Sequence, residues 1–199
     1  MERKIVIATT NAHKAREIKS LIGDRYNVLT QDYFSISSVP ETGKTFEENA
    51  LIKAKHVAKK TDLLTLADDS GLEVDLLNGE PGIYSARYAG ANATDDDNNQ
   101  RLVKELKKYE EEKITARFHS VIAIVEPSEN KQRIFHGTWE GRIKLDQKGE
   151  NGFGYDPLFF IDDLGVTAAE LSDAQKNKLS HRANAMRAAT DYLLRKHNR

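Results

Sequence analysis

Two adjacent aspartates, Asp68 and Asp69, are the residues of this sequence best suited to chemistry. Two ionised carboxylates roughly 6 Å apart repel by about 3 kcal/mol at an effective dielectric constant of about 20. Mg²⁺ would relieve this repulsion, because it binds a few carboxylate oxygens and fills its other positions with water and phosphate oxygens. Ser70 and Gly71 allow the backbone to approach a ligand closely. The alternative is that both aspartates only cap a turn, as aspartates between strands usually do.

A polar segment near the start of the chain is a candidate anion site. It follows an apolar run and precedes a helical pattern, so its free N–H groups and the positive end of a helix dipole would attract a phosphate. Its residues are Thr9, Thr10, Asn11, Ala12, His13 and Lys14. The lysine opposes the dipole, a mild penalty that a bound phosphate would reverse. A polar connection with an exposed lysine explains the segment equally well.

Glu41 and Lys53 form a third candidate group. Glu41 precedes a helix, where an acid can be solvated, can stabilise the helix N-terminus or can hold a metal. Lys53 falls at the edge of the apolar face of that helix. It therefore either extends its ammonium group to solvent along the apolar surface or points into a cleft, and the first arrangement is the commoner one.

The fourth candidate is the glycine-rich segment 152–157, with polar residues downstream. An aromatic ring between two glycines can be presented for stacking on a base, or it can fill a tight turn in the core. Lys176, His181 and Arg182 provide mainly hydrogen-bond donors, which can read carbonyl oxygens or phosphates. Residues of these types are also common at helix starts.

Hydrophobic periodicity predicts the elements that position these residues in the first part of the chain. Residues 5–8 form an apolar run typical of a strand, and residues 15–22 have the spacing of a helix. Thr45 and Glu48 match the Ser/Thr-x-x-Glu capping box, which predicts a second helix through Lys59.

The acidic residues are predicted to lie in a turn. Residues 63–67 and 72–77 have the patterns of two strands, and residues 68–71 connect them. Thr94 can cap a third helix that extends to about Tyr109.

The second half of the chain has the pattern of a hairpin followed by a helix. Residues 116–125 and 132–143 predict long strands joined by a turn at 127–130, and residues 158–161 form another apolar run. Ser180 precedes the last helix. Because strands and helices alternate early and a hairpin comes later, we expect an α/β fold with a mixed sheet.

Composition restricts the classes of function. With 199 residues, 39% of them hydrophobic, the chain can bury a core, and its length favours a single domain over residues 1–199. A net charge of −1 provides no general attraction for nucleic acid or an anionic membrane. The absence of cysteine excludes thiolate metal sites and agrees with the cytoplasm. The apolar run at residues 5–8 is too short for a signal peptide or a membrane span.

Taken together, the motifs resemble those of the Ham1-like family of inosine/xanthosine triphosphate pyrophosphatases. The resemblance extends from Ile5 to the last helix in the order of the chain. Its motifs are the segment up to Lys14, Glu41-Thr42-Gly43, Phe46, Glu48-Asn49-Ala50, Lys53-Ala54, Ala67-Asp68-Asp69-Ser70-Gly71-Leu72, Pro81 to Tyr88, Gly152 to Pro157 and Ser180-His181-Arg182. One departure is the segment Thr9 to His13, which often contains glycine in the family and here has none.

The resemblance implies Mg²⁺-dependent hydrolysis of ITP, dITP and XTP to the monophosphate and pyrophosphate. It also implies an elongated mixed sheet flanked by helices, two lobes with a central substrate cleft, and a homodimer. Glu41 and Asp69 would hold the metal, and Asp69 would orient the attacking water. The substrate would contact Thr9, Thr10, Asn11, Ala12, His13, Lys14, Lys53, Ser70, Phe153, Gly154, Tyr155, Asp156, Lys176, His181 and Arg182.

Three other functions fit parts of the pattern. A non-catalytic purine nucleotide sensor would use the same pocket without hydrolysis. An aspartyl-nucleophile phosphatase requires an Asp-x-Asp pair, a spacing that Asp68 and Asp69 lack. A nucleic-acid-binding module would need a basic stripe, and the balanced charge argues against one.

Overall fold

Short local signals account for most of the elements in this chain. The computed structural model describes residues 4–109 and 113–197, which form seven β-strands and five α-helices. In chain order they are β1 Lys4–Ile7, α1 Ala12–Ile22, β2 Asn27–Thr30, α2 Phe46–Thr61, β3 Thr65–Val74, α3 Asp95–Leu106, β4 Ile114–Glu126, β5 Lys131–Ile143, β6 Phe159–Ile161, β7 Val166–Thr167, α4 Asp173–Leu179 and α5 His181–His197.

The seven strands form one sheet in the order β2-β1-β3-β4-β5-β6-β7. β1 pairs in parallel with both β2 and β3, whereas β6 pairs antiparallel with β5 and β7. The predicted mixed sheet is therefore confirmed. β1 has three consecutive side chains that are fully buried, Ile5, Val6 and Ile7, as expected for a parallel strand covered on both faces.

The predicted helix caps are confirmed with one change. Thr45 caps α2 by accepting a hydrogen bond from the Glu48 N–H. The Glu48 carboxylate reaches one residue further back than the capping box requires and accepts from the Lys44 N–H at 2.6 Å. Thr94 and Asp97 form a complete capping box at α3, which ends at Leu106, before the predicted Tyr109.

The prediction of a turn at residues 68–71 is wrong. These residues lie inside β3, a single strand from Thr65 to Val74. Asp, Ser and Gly favour turns, and this local preference gave the wrong prediction. Neighbouring side chains of a strand point to opposite faces, so Asp68 and Asp69 project in opposite directions. Each carboxylate lies beside a cation, Asp68 beside Lys14 and Asp69 beside Lys53, which offsets the repulsion that the sequence suggested.

The described residues divide into two compact units, and β3, β4 and β5 contribute residues to both. Unit 1 contains the chain up to Asp69, Ser120–Gly137 and the chain from His181 onward, and unit 2 contains Ser70–His119 and Thr138–Ser180. The prediction of a single domain stays a prediction.

Each unit has its own apolar core. In unit 1, α1 and α5 place Ile18, Met186 and Leu193 against β1 and β4. In unit 2, Leu102 and Leu106 of α3 pack with residues of β3, β4 and β5. Among the described residues, no helix is long and apolar enough to cross a membrane.

Candidate active site

The segment after β1 leads directly into the N-terminus of α1. The helix begins at Ala12, earlier than predicted, and Asn11 is its N-cap. The Asn11 side-chain oxygen accepts a hydrogen bond from the Lys14 N–H at 3.0 Å, and the Thr9 hydroxyl oxygen accepts from the Asn11 N–H at 3.1 Å. Residues 10–13 are exposed. The helix N-terminus is thus accessible to an anion.

Asp68 is the centre of a buried ionic cluster in unit 1. Its side chain is inaccessible to solvent, and one carboxylate oxygen lies 2.9 Å from the Lys14 ammonium nitrogen. The Arg182 guanidinium donates to both carboxylate oxygens at 3.2 Å, and the Ser120 hydroxyl donates at 2.7 Å. Burial alone would raise the pKa of Asp68, but Arg182, Lys14 and Ser120 hold that pKa well below its ordinary value. Asp68 is therefore an anionic anchor for two cations.

Arg182 forms ion pairs with two carboxylates, those of Asp68 and Glu17. Its side chain is 1% exposed, and its guanidinium also donates to the Glu17 carboxylate. Burial lowers the pKa of Arg182, but Asp68 and Glu17 outweigh it and raise that pKa. Lys14 and Arg182 balance Asp68 and Glu17 in charge, which is the condition for burying ionised groups at low cost. The role of Arg182 in base recognition stays a prediction.

On the opposite face of β3, Asp69 belongs to a second cluster with Lys53 and Glu41. The Lys53 ammonium nitrogen lies 2.7 Å from an oxygen of each carboxylate. The Lys53 side chain is 15% exposed. Its ammonium group therefore points toward two acids instead of extending to solvent, which decides between the two arrangements that the sequence left open.

Burial and charge act in different ways on the members of this second cluster. Burial would lower the pKa of Lys53, but Asp69 and Glu41 outweigh it and raise that pKa. For Asp69, burial is the largest effect, and it raises the pKa despite the nearby ammonium groups of Lys53 and Lys14. The second cluster thus carries an excess of negative charge, with two carboxylates facing one ammonium group.

The loop that carries Glu41 is tied to the start of α2. The Asn49 side-chain oxygen accepts a hydrogen bond from the Gly43 N–H at 2.8 Å, and Asn49 is fully buried. A Cβ atom at Gly43 would lie 2.6 Å from Glu48 Cβ and 2.7 Å from this Asn49 oxygen. Only glycine fits at this position, which explains Gly43 before the helix cap.

In unit 2, Asp156 organises the glycine-rich segment. Its buried carboxylate accepts from the Lys176 ammonium group at 2.5 Å and from the Phe153 N–H at 2.9 Å. The Lys176 nitrogen lies 4.7 Å from the centre of the Phe153 ring, within the range of a cation–π interaction. Gly152 has φ +75°, and a Cβ atom there would lie 2.0 Å from an Asp156 oxygen. The segment is therefore folded around one carboxylate.

Tyr155 holds the same segment from inside unit 2. Its hydroxyl donates to the Ser85 carbonyl oxygen at 2.8 Å, and burial raises the pKa of this phenol. Ser85 is itself fixed, because its hydroxyl oxygen accepts from the Leu72 N–H and its proton is donated to the Gly82 carbonyl. Tyr155 and Asp156 are thus turned inward, whereas the Phe153 ring is half-buried.

The structure groups many of the predicted site residues, but in two separate units. Unit 1 brings Lys14 to Asp68 and Arg182, and Lys53 to Glu41 and Asp69; His181 also belongs to this unit, buried at the start of α5. Ser70, Phe153, Gly154, Tyr155, Asp156 and Lys176 belong to unit 2. His13 is exposed in the first turn of α1, and Ser70 is half-buried in β3.

Several polar residues around these clusters have no recognisable signal in the sequence. Ser120 lies in the largely apolar strand β4, where a buried hydroxyl indicates a specific hydrogen-bond partner. In the sequence, Glu17 has no feature that distinguishes it from other residues of a helix. Its pairing with Arg182 spans 165 positions along the chain, a separation that no local pattern reports.

Known proteins resemble this chain over nearly its whole length. A dITP/XTP pyrophosphatase of Vibrio parahaemolyticus is 50% identical over 188 residues, which cover 94% of each chain. A protein of the same name from Salmonella typhimurium is 47% identical over 193 residues, covering 96% of this chain and 98% of the relative.

Solved structures agree with the sequence comparison. A HAM1 protein from Coxiella burnetii superimposes with a TM-score of 0.89 at 43% identity, covering 97% of this chain and 99% of the other. The Staphylococcus aureus Ham1 protein gives a TM-score of 0.87 at 42% identity, with coverage of 98% and 100%. The Ham1 family profile matches residues 5–192. On this agreement of sequence, fold and motif order, the chain belongs to the Ham1 family.

Proposed function

We propose that this protein hydrolyses non-standard purine nucleoside triphosphates, namely dITP, ITP and XTP, to the monophosphate and pyrophosphate. The observation that carries the proposal is the pair of clusters on the two faces of β3, Lys14 with Asp68 and Lys53 with Asp69 and Glu41. The names of relatives about half identical in sequence support the same reaction and substrates.

Glu41 and Asp69 are the residues that we propose hold Mg²⁺. Their carboxylates converge on a single cation, the Lys53 ammonium group. Two carboxylates fit the preference of Mg²⁺, which takes its remaining ligands from water and substrate phosphates. Among the described residues there is no group of three or more acids and histidines able to hold a metal.

The reaction we propose is attack of water on the α-phosphorus. The bond between the α-phosphorus and the bridging oxygen breaks, and pyrophosphate leaves with the bonding electrons. Asp69 orients the water and accepts its hydrogen bond, and the released proton passes to this carboxylate or to solvent. When bound, Mg²⁺ neutralises charge on the phosphate oxygens.

Two lysines provide the remaining positive charge for the triphosphate. The Lys14 ammonium group is held by Asp68 beside the accessible N-terminus of α1. Lys53 is held by two carboxylates, and a metal bound to these acids would release its ammonium group toward the phosphates. Both interactions favour a highly charged anion over a nucleoside or a monophosphate.

Base selection is proposed to depend on hydrogen-bond donors. Hypoxanthine and xanthine have an oxygen at the 6-position, where adenine has an amino group. A donor that faces this amino group is left unsatisfied at a cost of about 1–3 kcal/mol. Phe153 is half-buried with a lysine over its ring, which suits stacking on a purine.

The test uses the protein with Mg²⁺ and a panel of ITP, dITP, XTP, GTP and ATP. We expect pyrophosphate release from the first three at values of kcat/KM well above those for GTP and ATP. In ¹⁸O-labelled water, the label should enter the monophosphate, because attack occurs at the α-phosphorus. Label in pyrophosphate, or release of orthophosphate, would contradict this reaction. Tight binding of ITP without products would identify a nucleotide sensor instead.

The proposal also includes a cytoplasmic homodimer, which the family resemblance implies. The lack of cysteine agrees with a reducing compartment. Sedimentation equilibrium gives the oligomeric state directly, since a dimer has twice the chain mass of 22.4 kDa.

Lys53→Met tests whether this ammonium group serves the substrate. The substitution keeps the length of the side chain but removes a charge-assisted contact worth about 1.5–3 kcal/mol, so we expect kcat/KM for ITP to fall roughly 10- to 100-fold. The rise in KM should dominate, with little change in the melting temperature when Mg²⁺ is present. Mg²⁺ should also stabilise the variant more than the unchanged protein, because Glu41 and Asp69 have lost their cation.

Lys55→Met is the matched control, since Lys55 is an exposed lysine of the same helix. An unchanged KM in Lys53→Met, combined with a lower melting temperature, would show that Lys53 serves only the fold.

A further inference from the structure

The first turn of α3 holds the backbone of the glycine-rich segment at Gly154. The Asp95 carboxylate accepts a hydrogen bond from the Gly154 N–H at 2.6 Å. The Asn99 side-chain amide donates to the Gly154 carbonyl oxygen at 2.9 Å. The backbone N–H and C=O groups of Gly154 are therefore both hydrogen-bonded to side chains of a single helix. We call Asp95 and Asn99 the Gly154 clamp.

The two residues of the Gly154 clamp are placed by the geometry of α3. They are four positions apart, so they lie on the same face of the helix, one turn from each other. Asn99 is 3% exposed, and a buried amide at this position requires a partner. Thr94 and Asp97 fix the start of the helix through their capping box. The clamp therefore belongs to a rigid element.

Gly154 is held through its backbone alone, because it has no side chain that could anchor it. It has φ +63°, in the left-handed region, and glycine loses more conformational freedom on folding than any other residue. The residues after it have their own anchors, Tyr155 through Ser85 and Asp156 through Lys176. Gly154 has no side chain to bury, and it immediately follows Phe153. Its backbone therefore contributes to the position of the Phe153 ring, together with the Asp156 carboxylate that accepts from the Phe153 N–H.

We propose that Asp95 and Asn99 are positioning residues for purine selection, acting through Gly154 on the orientation of Phe153. This inference rests on the proposed function, because it assigns Phe153 to the purine. It concerns two residues that lie outside every motif of the resemblance. The clamp binds the residue next to Phe153, so its loss should affect binding of the base more than the rate of the chemical step.

The experiment compares Asp95→Ala with Asp96→Ala. Both substitutions remove one acid from the first turn of α3, so they change the helix dipole interaction equally. Asp96 is exposed and accepts a hydrogen bond from the exposed Gln100 side chain, so Asp96→Ala serves as the control. Asp95→Asn retains an oxygen that can accept from the Gly154 N–H and should restore most of the function. Asp95 is exposed, so none of these variants disturbs a core.

We expect Asp95→Ala to raise KM for ITP and to reduce the ITP-over-ATP ratio of kcat/KM by roughly 3- to 10-fold, with kcat nearly unchanged. Its affinity for inosine monophosphate, measured by calorimetry, should fall by a similar factor. Asp96→Ala should match the unchanged protein in all three measurements. Equal KM, ratio and affinity in Asp95→Ala and Asp96→Ala would overturn the inference.

Hydrogen exchange separates failure of this inference from failure of the proposed function. Loss of the Asp95 carboxylate should speed exchange of the Gly154 amide whether or not the protein has activity. Faster exchange with an unchanged ITP-over-ATP ratio overturns the role in selection. Failure of the protein without substitutions to cleave ITP would overturn the proposed function. An unaltered exchange rate of the Gly154 amide in Asp95→Ala would overturn the clamp itself, with or without activity.

Discussion

Replacing Asp69 by asparagine should leave the fold intact and reduce kcat for ITP by at least about 100-fold, and by up to about 10,000-fold. Asparagine has the same shape and keeps an oxygen for the hydrogen bond that Lys53 donates at 2.7 Å. It loses the negative charge that would hold Mg²⁺ and orient the attacking water. Pyrophosphate release in Mg²⁺ measures the activity, and thermal unfolding measures the stability.

Asp24→Asn is a suitable control for this first prediction. Asp24 is exposed, and its substitution makes the same chemical change elsewhere in unit 1. Full turnover by Asp69→Asn in Mg²⁺ would remove Asp69 from the metal site and from catalysis. A large loss of stability would instead place Asp69 among the residues that hold the fold.

Asp68→Asn should have the opposite result, a large loss of stability. The substitution leaves Arg182, which is 1% exposed, facing a neutral amide, and it removes the counterion of Lys14. Removal of one partner from a buried ion pair costs about 3–5 kcal/mol. Because Glu17 still pairs with Arg182, we expect the lower part of this range. The free energy of unfolding in urea measures the change.

A double variant tests whether the loss comes from an uncompensated charge. Asp68→Asn combined with Arg182→Met removes both charges, so it should be more stable than the sum of the two single effects. Additive losses would contradict a coupled pair between Asp68 and Arg182.

The lowered pKa of Asp68 also predicts how the stability difference between the unchanged protein and Asp68→Asn depends on pH. An acid whose pKa is lower in the folded state adds stability above its unfolded pKa, here about 3.9, and loses that stability as the pH falls toward the folded value. The stability difference between the unchanged protein and Asp68→Asn should therefore be constant from neutral pH to about 4 and narrow below it. A difference that persists unchanged in stronger acid would contradict the ion-pair origin.

These contrasting predictions for neighbouring aspartates depend on a feature that the sequence did not reveal. Asp-Asp-Ser-Gly has the composition of a turn, and turn propensity is a local property. In the structure the same residues continue a strand, because cations from other elements neutralise a carboxylate on each face. Lys14, Lys53 and Arg182 come from α1, α2 and α5, and Arg182 is 114 positions from Asp68.

The sequence by itself determined most of the local elements and the family resemblance. Capping residues such as Thr45 and Thr94, and the strand patterns of β4 and β5, depend on neighbours within a few positions, so they can be recognised in a single sequence. The tertiary structure alone decided the partners of the charged residues. It assigned Lys53 to two acids, Asp68 to a buried ionic cluster, and Asp95 and Asn99 to Gly154, because each of these contacts joins residues that only the folded chain brings together.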